Sequence, residues 1–158
     1  MKIGVLSDTH LSSITPALNA ILDTYFKNVD LILHAGDIVG RPVYEFLQRK
    51  GVEAVRGNMD EGELQTLLPI KKTLRVNEYR IGLIHGWGSA VGLENRISPE
   101  FSGIDCLVYG HSHTPANHWS EGVLLFNPGS AFRSRFSHKA TIGILQINTT
   151  ISGEIIEV

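Results

Sequence analysis

Apolar residues fall in short blocks along the chain, and most blocks stop at a polar cluster. Residues 2–7 are an apolar run that ends in Ser7-Asp8-Thr9-His10, which predicts a buried strand followed by a loop. Ile14, Ala17, Leu18, Ile21, Leu22, Tyr25 and Phe26 then recur at helical spacing, with Pro16 placed for a first turn. Residues 30–34 predict a second buried strand, closed by the tight loop Ala35-Gly36-Asp37. A helix from Pro42 to Lys50 carries Val43, Phe46 and Leu47 on one face, and Gly51 ends it. Residues 52–56 predict a third strand, before Gly57-Asn58-Met59-Asp60. Strands alternating with helices imply right-handed crossovers and a parallel sheet.

The second half reads differently. Residues 71–76 and 79–84 pattern as a hairpin turning at Asn77-Glu78, residues 88–97 as a helix, and residues 104–109 as a buried strand. Hairpins follow over 116–119 with 122–126, and over 140–148 with 151–157. The pattern predicts an α/β fold with mixed sheets and helices outside. No linker or repeat interrupts it, so residues 1–158 read as one domain.

Composition narrows the function classes. A chain of 158 residues suits a single core, which typically serves ~100–200 residues. Fourteen basic residues against 16 acidic ones give a net charge of −2, so bulk charge gives no strong nucleic-acid signal. The apolar run at the N-terminus is too short and too soon polar for a signal peptide, and no stretch approaches the ~20 residues that cross a bilayer. With one cysteine, Cys106, no internal disulfide is possible, which fits a reducing, cytoplasmic setting. Cys106 sits among apolar neighbours and reads as a buried thiol.

The chemistry lies where the apolar runs stop. Five loops carry Asp8-x-His10, Gly36-Asp37, Gly57-Asn58, His85-Gly86 and Gly110-His111-Ser112-His113. In α/β sheets ligands gather outside the carboxyl ends of strands, so these loops are placed to meet. Two carboxylates, one carboxamide and four imidazoles suit Mn²⁺, Fe²⁺, Co²⁺, Ni²⁺ or Zn²⁺, and the lack of thiolates argues against a structural zinc site. Asp8 and His10 are two residues apart, so an extended backbone would send both side chains to one face; His111 and His113 share that relation. Seven ligands exceed the need of one ion with an open position. They suit two ions sharing a carboxylate, and such pairs, ~3.5–4 Å apart, clamp the attacking and leaving oxygens of a phosphoryl transfer.

This order of motifs resembles the calcineurin-like metallophosphoesterase superfamily, and within it the small single-domain phosphodiesterases of the bacterial YfcE group. The resemblance runs from Met1 through Asn127-Pro128-Gly129-Ser130 to the final hairpin. It implies a four-layer αββα sandwich. It also implies one metal on Asp8, His10 and His113, a second on Asn58, His85 and His111, and Asp37 as the bridge. A hydroxide held between two divalent ions, Mn²⁺ or Ni²⁺ foremost, would attack a small-molecule phosphodiester. The resemblance places Asn127 and Ser130 beside the metals as substrate contacts. Many superfamily members carry a histidine straight after the Gly-Asn asparagine; here that residue is Met59, which cannot protonate a leaving group and so favours diesters over alkyl monoesters. Two alternatives are a phosphomonoesterase or nucleotide hydrolase on the same metals, and a non-catalytic scaffold like the retromer subunit of this fold. Homo-oligomerisation stays open.

Other residues carry weaker signals. Asp60 reads as a substitute acid or, more simply, as a turn or cap residue. His34 ends a strand near Asp37 and reads equally as a core histidine or as a donor to a ligand carboxylate. Trp87 reads as packing, or as pocket lining. His118 reads as surface, and His138, among Arg133, Arg135 and Lys139, as a solvated loop or a phosphate contact.

Overall fold

The computed structural model describes residues 1–132 and 139–158. Arg133, Arg135 and His138 lie outside the described residues.

Two five-stranded sheets form the centre. The first has the order β10-β9-β1-β2-β3, built from β1 (Lys2–Leu6), β2 (Leu31–His34), β3 (Val52–Ala54), β9 (Thr141–Ile147) and β10 (Ile151–Glu157). The strands β1, β2 and β3 are parallel, as the alternation of strands and helices predicts, while β9 joins β1 antiparallel. The second sheet has the order β4-β5-β6-β8-β7, from β4 (Lys71–Val76), β5 (Tyr79–Ile84), β6 (Cys106–Val108), β7 (Ala116–Ser120) and β8 (Val123–Asn127). Here β5, β6 and β8 run parallel and the hairpin partners β4 and β7 form the edges.

Strand periodicity divides the apolar residues between faces. Ile3, Val5 and Leu33 of the first sheet pack with Ile81, Leu83, Val108 and Phe126 of the second, which sets the sheets face to face. The alternate positions Leu6 and Ile144 meet Leu18 and Leu22 of helix α1 (Pro16–Thr24), Phe26 just beyond it, and Val43 and Leu47 of α2 (Arg41–Arg49). Ile84, Leu107 and Leu125 turn to the other side, against Leu93 and Ile97 of helix α4 (Leu93–Ile97). Strands buried on both faces need continuous apolar runs, which is the pattern the sequence carries. The result is the four-layer αββα arrangement.

Local signals explain the helix starts. Thr15 caps α1 by accepting the Leu18 amide at 3.2 Å, and Pro16 occupies the first turn. The helix expected over 88–97 is shorter: Gly88 and Gly92 take φ of +79° and +69°, so α4 begins at Leu93 and continues as a 3₁₀ turn over Ser98–Glu100. One four-residue helix, α3 (Leu64–Leu67), has no counterpart in the sequence reading. No helix among the described residues is long and apolar enough to cross a membrane.

Candidate metal centre

Because β1, β2 and β3 are parallel, as are β5 and β6, the sheets deliver their carboxyl-terminal loops to a common edge. Asp8 and His10 follow β1, Asp37 follows β2, Asn58 follows β3, His85 follows β5, and His111 and His113 follow β6. The structure brings all seven together.

The backbone does this in an unexpected way. Asp8, His10, Asp37, His111 and His113 all take positive φ, between +49° and +69°. The extended backbone expected for Asp8-x-His10 and His111-x-His113 is therefore wrong. Asp and His tolerate the left-handed region better than branched or bulky residues do, yet each such residue costs on the order of 1–3 kcal/mol, and such strain concentrates at functional sites. The loops also pass very close to one another. A Cβ on Gly57 would collide with Asp37 Oδ1, and one on Gly110 with Ser7 Oγ, so both positions require glycine.

Buried polar side chains pin these loops. The Asp60 carboxylate accepts the amides of Gly57 (2.6 Å), Val39 (2.7 Å) and Asp37 (3.2 Å). With both oxygens engaged and the residue buried, Asp60 is a tie between loops, in line with the simpler of its two readings. His34 is fully buried; its Nδ1 accepts the Gly36 amide at 3.2 Å, so its Nε2 donates to Thr9 Oγ1, also at 3.2 Å. Burial drops its pKa to about 3, so the ring is neutral. The expected bond to a ligand carboxylate is not made; His34 instead ties the β1 loop to the β2 loop. Asn127 and Ser130 are likewise buried. Asn127 Nδ2 donates to Gly110 O at 3.0 Å and Ser112 Oγ at 3.1 Å, and its Oδ1 accepts the Gly129 amide at 2.8 Å. Ser130 Oγ donates toward Asp8 O (2.9 Å) and Phe132 O (2.7 Å). Both side chains thus support the loops that carry Asp8 and His111.

The sequence reading missed Ser7, whose hydroxyl donates to Asp8 Oδ2 at 2.6 Å, and Thr9. The available signal was their place at the end of a buried strand, where a hydroxyl needs a partner. Trp87 is half-exposed rather than packed, and Met59 is exposed, its amide donating to Asp37 Oδ1 at 2.7 Å. Cys106 is a buried free thiol with its pKa pushed up by burial, hence inert. His118 is half-exposed and lies 3.2 Å from Glu94, and Lys139 pairs with Glu157 at 2.8 Å.

The ligand atoms form two overlapping groups. Those of Asp8, His10 and His113 lie within 4.8 Å of one another, as do those of Asp8, Asp37 and His85. Asp8 Oδ1 is buried and accepts no hydrogen bond, yet His113 Nε2 stands 3.1 Å away, His10 Nε2 3.8 Å and His85 Nε2 4.0 Å. His10 and His113 face each other Nε2 to Nε2 at 3.1 Å. Asp37 Oδ2 lies between the groups, 3.7 Å from His10 Nε2 and 3.3 Å from His85 Nε2. Two backbone carbonyls fix ring tautomers. Ala35 O accepts from His85 Nδ1 at 2.7 Å, and Gly88 O accepts from His111 Nε2 at 2.7 Å. A carbonyl can only accept, so in the neutral rings the lone pairs fall on the opposite nitrogens, His85 Nε2 and His111 Nδ1, which lie 3.2 Å and 2.9 Å from Asn58 Oδ1.

The charges agree with this arrangement. Burial pushes the Asp8 and Asp37 carboxyls up, but the facing imidazoles, the Ser7 hydroxyl at Asp8 and the Met59 amide at Asp37 outweigh it, and both fall below the ordinary carboxylate range. Burial pulls His85 down, and Asp37, Asp8 and the Ala35 carbonyl more than restore it, leaving it raised. A site that gathers carboxylates and imidazole lone pairs in this way attracts cations.

The comparisons agree with the chemistry. The chain is 40% identical over 134 residues to a probable metallophosphoesterase of Methanocaldococcus jannaschii, covering 82% of this chain and 68% of that protein. It is 30% identical to a phosphodiesterase of the same organism, covering 99% of each. YfcE, a phosphoesterase from E. coli, superposes with a TM-score of 0.70 at 28% identity, over 92% of this chain and 88% of its own. A Vps29 from Entamoeba histolytica, solved with Zn²⁺, superposes at 0.73 with 23% identity over 99% of each chain, a likeness of fold. A model of the calcineurin-like phosphoesterase superfamily domain matches residues 1–150, the span that holds all seven converging side chains and every strand but β10, and the chain belongs to that superfamily.

Proposed function

We propose that the protein is a metal-dependent phosphodiesterase that holds two divalent ions. Asp8, His10 and His113 would hold one, Asn58, His85 and His111 the other, with Asp37 shared. The observation that carries this reading is Asp8 Oδ1: a buried carboxylate oxygen without a hydrogen bond, ringed by three imidazole nitrogens. A buried carboxylate oxygen without a donor is costly, and a cation removes the cost. Asp37 Oδ2, facing a nitrogen of each group, supports giving it the shared position. The imidazole-rich donor set favours Mn²⁺ or Ni²⁺ over Mg²⁺.

When bound, divalent ions supply water with a lowered pKa and neutralise the charge on phosphoryl oxygens. The side chains do the rest. The carbonyls of Ala35 and Gly88 keep His85 and His111 turned toward the centre. Asp60, His34, Asn127 and Ser130 keep the loops in register. In the hydrolysis an oxygen of water bonds to phosphorus, the P–O bond to one alcohol breaks, and the leaving oxygen takes up a proton unless it is already a stable anion. Met59, at the position after Asn58, cannot give that proton, which favours diesters with good leaving groups.

The test is hydrolysis of bis(p-nitrophenyl) phosphate by metal-stripped protein, with each metal added back and the bound metal counted. Restoration by Mn²⁺ or Ni²⁺ with two ions per chain is expected; full turnover in excess EDTA after prolonged dialysis would overturn the reading. The fold likeness to Vps29 supports a second reading as a binding scaffold. The complete ligand set favours catalysis over it, and tight metal binding with no turnover of any phosphoester would reverse that order.

A further inference from the structure

A groove of about 380 Å³ opens beside the candidate centre, between residues 90–95 and residues 109–116. Both walls connect to the centre. Ser112, on one wall, separates His111 from His113. The other wall begins two residues after Gly88, whose carbonyl holds the His111 ring. The groove and the centre are thus built on the same two loops, one of which carries His111 and His113.

The lining defines what the groove can hold. Val91, 85% exposed, and Pro115 offer apolar surface, while Glu94, Asn95 and Thr114 offer hydrogen-bonding groups. Among the lining residues Glu94 alone is charged. Its carboxylate is held in place: Oε1 accepts the hydroxyl of buried Tyr109, and Oε2 lies 3.2 Å from His118 Nε2. A carboxylate has about four acceptor sites, so these contacts leave capacity toward the groove. The adjacent Arg96 is not part of the lining; its guanidinium donates to the carbonyls of Trp87, Ser89 and Val91. A phosphate chain is usually met by Arg or Lys, and the described residues of this lining include neither. The volume falls near the lower end for small-molecule sites, ~300–1,000 Å³.

We propose that the groove receives the non-leaving ester arm of the substrate, that this arm is an uncharged, hydroxyl-bearing group of the sugar or polyol class, and that Glu94 rejects anionic arms. This rests on the metallophosphodiesterase reading above. The hydroxyls meet Glu94, Asn95 and Thr114, and the carbon face of the ring lies against Val91 and Pro115.

The experiment compares three p-nitrophenyl diesters on the metal-loaded protein. Their second arms are ethyl, thymidine through its 5′-oxygen, and the same thymidine carrying a 3′-phosphate. The wild type is expected to prefer the thymidine ester, with the 3′-phosphorylated ester poorer. Glu94→Gln and Asn95→Ala should each lower the thymidine-to-ethyl ratio of kcat/KM by roughly tenfold, chiefly through KM. Glu94→Gln should at the same time raise the ratio of phosphorylated to plain thymidine ester. Val91→Trp, a change on an exposed side chain, should narrow the groove and lower the thymidine-to-ethyl ratio as well. A purely structural role for these residues moves all three esters together and leaves the ratios unchanged, which overturns the proposal. If the wild type cleaves none of the three with any metal, the reading of the centre itself falls, and the groove assignment with it.

Discussion

Asp60 holds Asp37 by the backbone: Asp60 Oδ2 accepts the Asp37 amide at 3.2 Å and, at 2.6 Å, the Gly57 amide next to Asn58. One buried carboxylate thus sets the spacing of two ligand loops. Asp60→Asn keeps the shape but replaces one acceptor oxygen with a donor. It should weaken metal binding by about 10–100-fold, the usual effect of losing a support behind a ligand. Asp60→Ala strands three amides and should destabilise the metal-free fold by about 3 kcal/mol or more. Metal titration and urea unfolding in EDTA read the two effects separately. Unchanged metal affinity in Asp60→Asn would remove Asp60 from this role.

Asp37→Asn should be the more damaging change at the centre. A carboxylate facing both groups neutralises charge in both, so its loss should cost more than ~100-fold in activity, beyond the loss of a supporting bond. The number of ions retained per chain should fall from two. Retention of both ions with activity near wild type would mean that Asp37 does not bridge.

The pH dependence of His34 has a definite sign. Burial depresses its folded pKa from 6.5 to about 3, so between those values the unfolded chain binds the extra proton. Its contribution is therefore full above pH 6.5 and declines as pH falls toward 3, at up to about 1.4 kcal/mol per pH unit. In EDTA, wild-type stability between pH 6 and 4 should fall more steeply than that of His34→Gln. Parallel curves in urea unfolding would show that His34 is not buried neutral.

Met59→His tests the missing acid. An imidazole after Asn58 should raise cleavage of alkyl monoesters, whose leaving oxygen needs a proton, by about 100-fold where it reaches that oxygen. A nitrophenyl diester should change little. A crystal structure showing the imidazole within hydrogen-bonding distance, with no gain on alkyl monoesters, would point to pocket shape as the source of the preference.

Most of the strands and all seven converging residues were legible in the sequence. Strands buried on both faces write continuous apolar runs, and the parallel ones end in polar clusters at a common edge. The failures have local causes. The helix expected over 88–97 lost its first turn because Gly88 and Gly92 adopt left-handed φ that periodicity does not register. Asp8 and His10 were read as extended because left-handed backbone at non-glycine residues has no sequence signature. His34 was drawn toward the chemistry by its closeness to ligands, but its bonds run to loop atoms, and only coordinates reveal which way a buried polar side chain turns. Asp60 shows the limit in the other direction, since a residue readable as a turn proves to link loops from two strands.

The seven converging residues come from both sheets: Asp8, His10, Asp37 and Asn58 from the first, His85, His111 and His113 from the second. The apolar interior between the sheets joins them without any of these side chains. Chemistry and architecture are thereby decoupled. A lineage can erode the ligands one at a time without dismantling the sandwich, and it can relieve backbone strain each time a left-handed Asp or His becomes Gly or Asn.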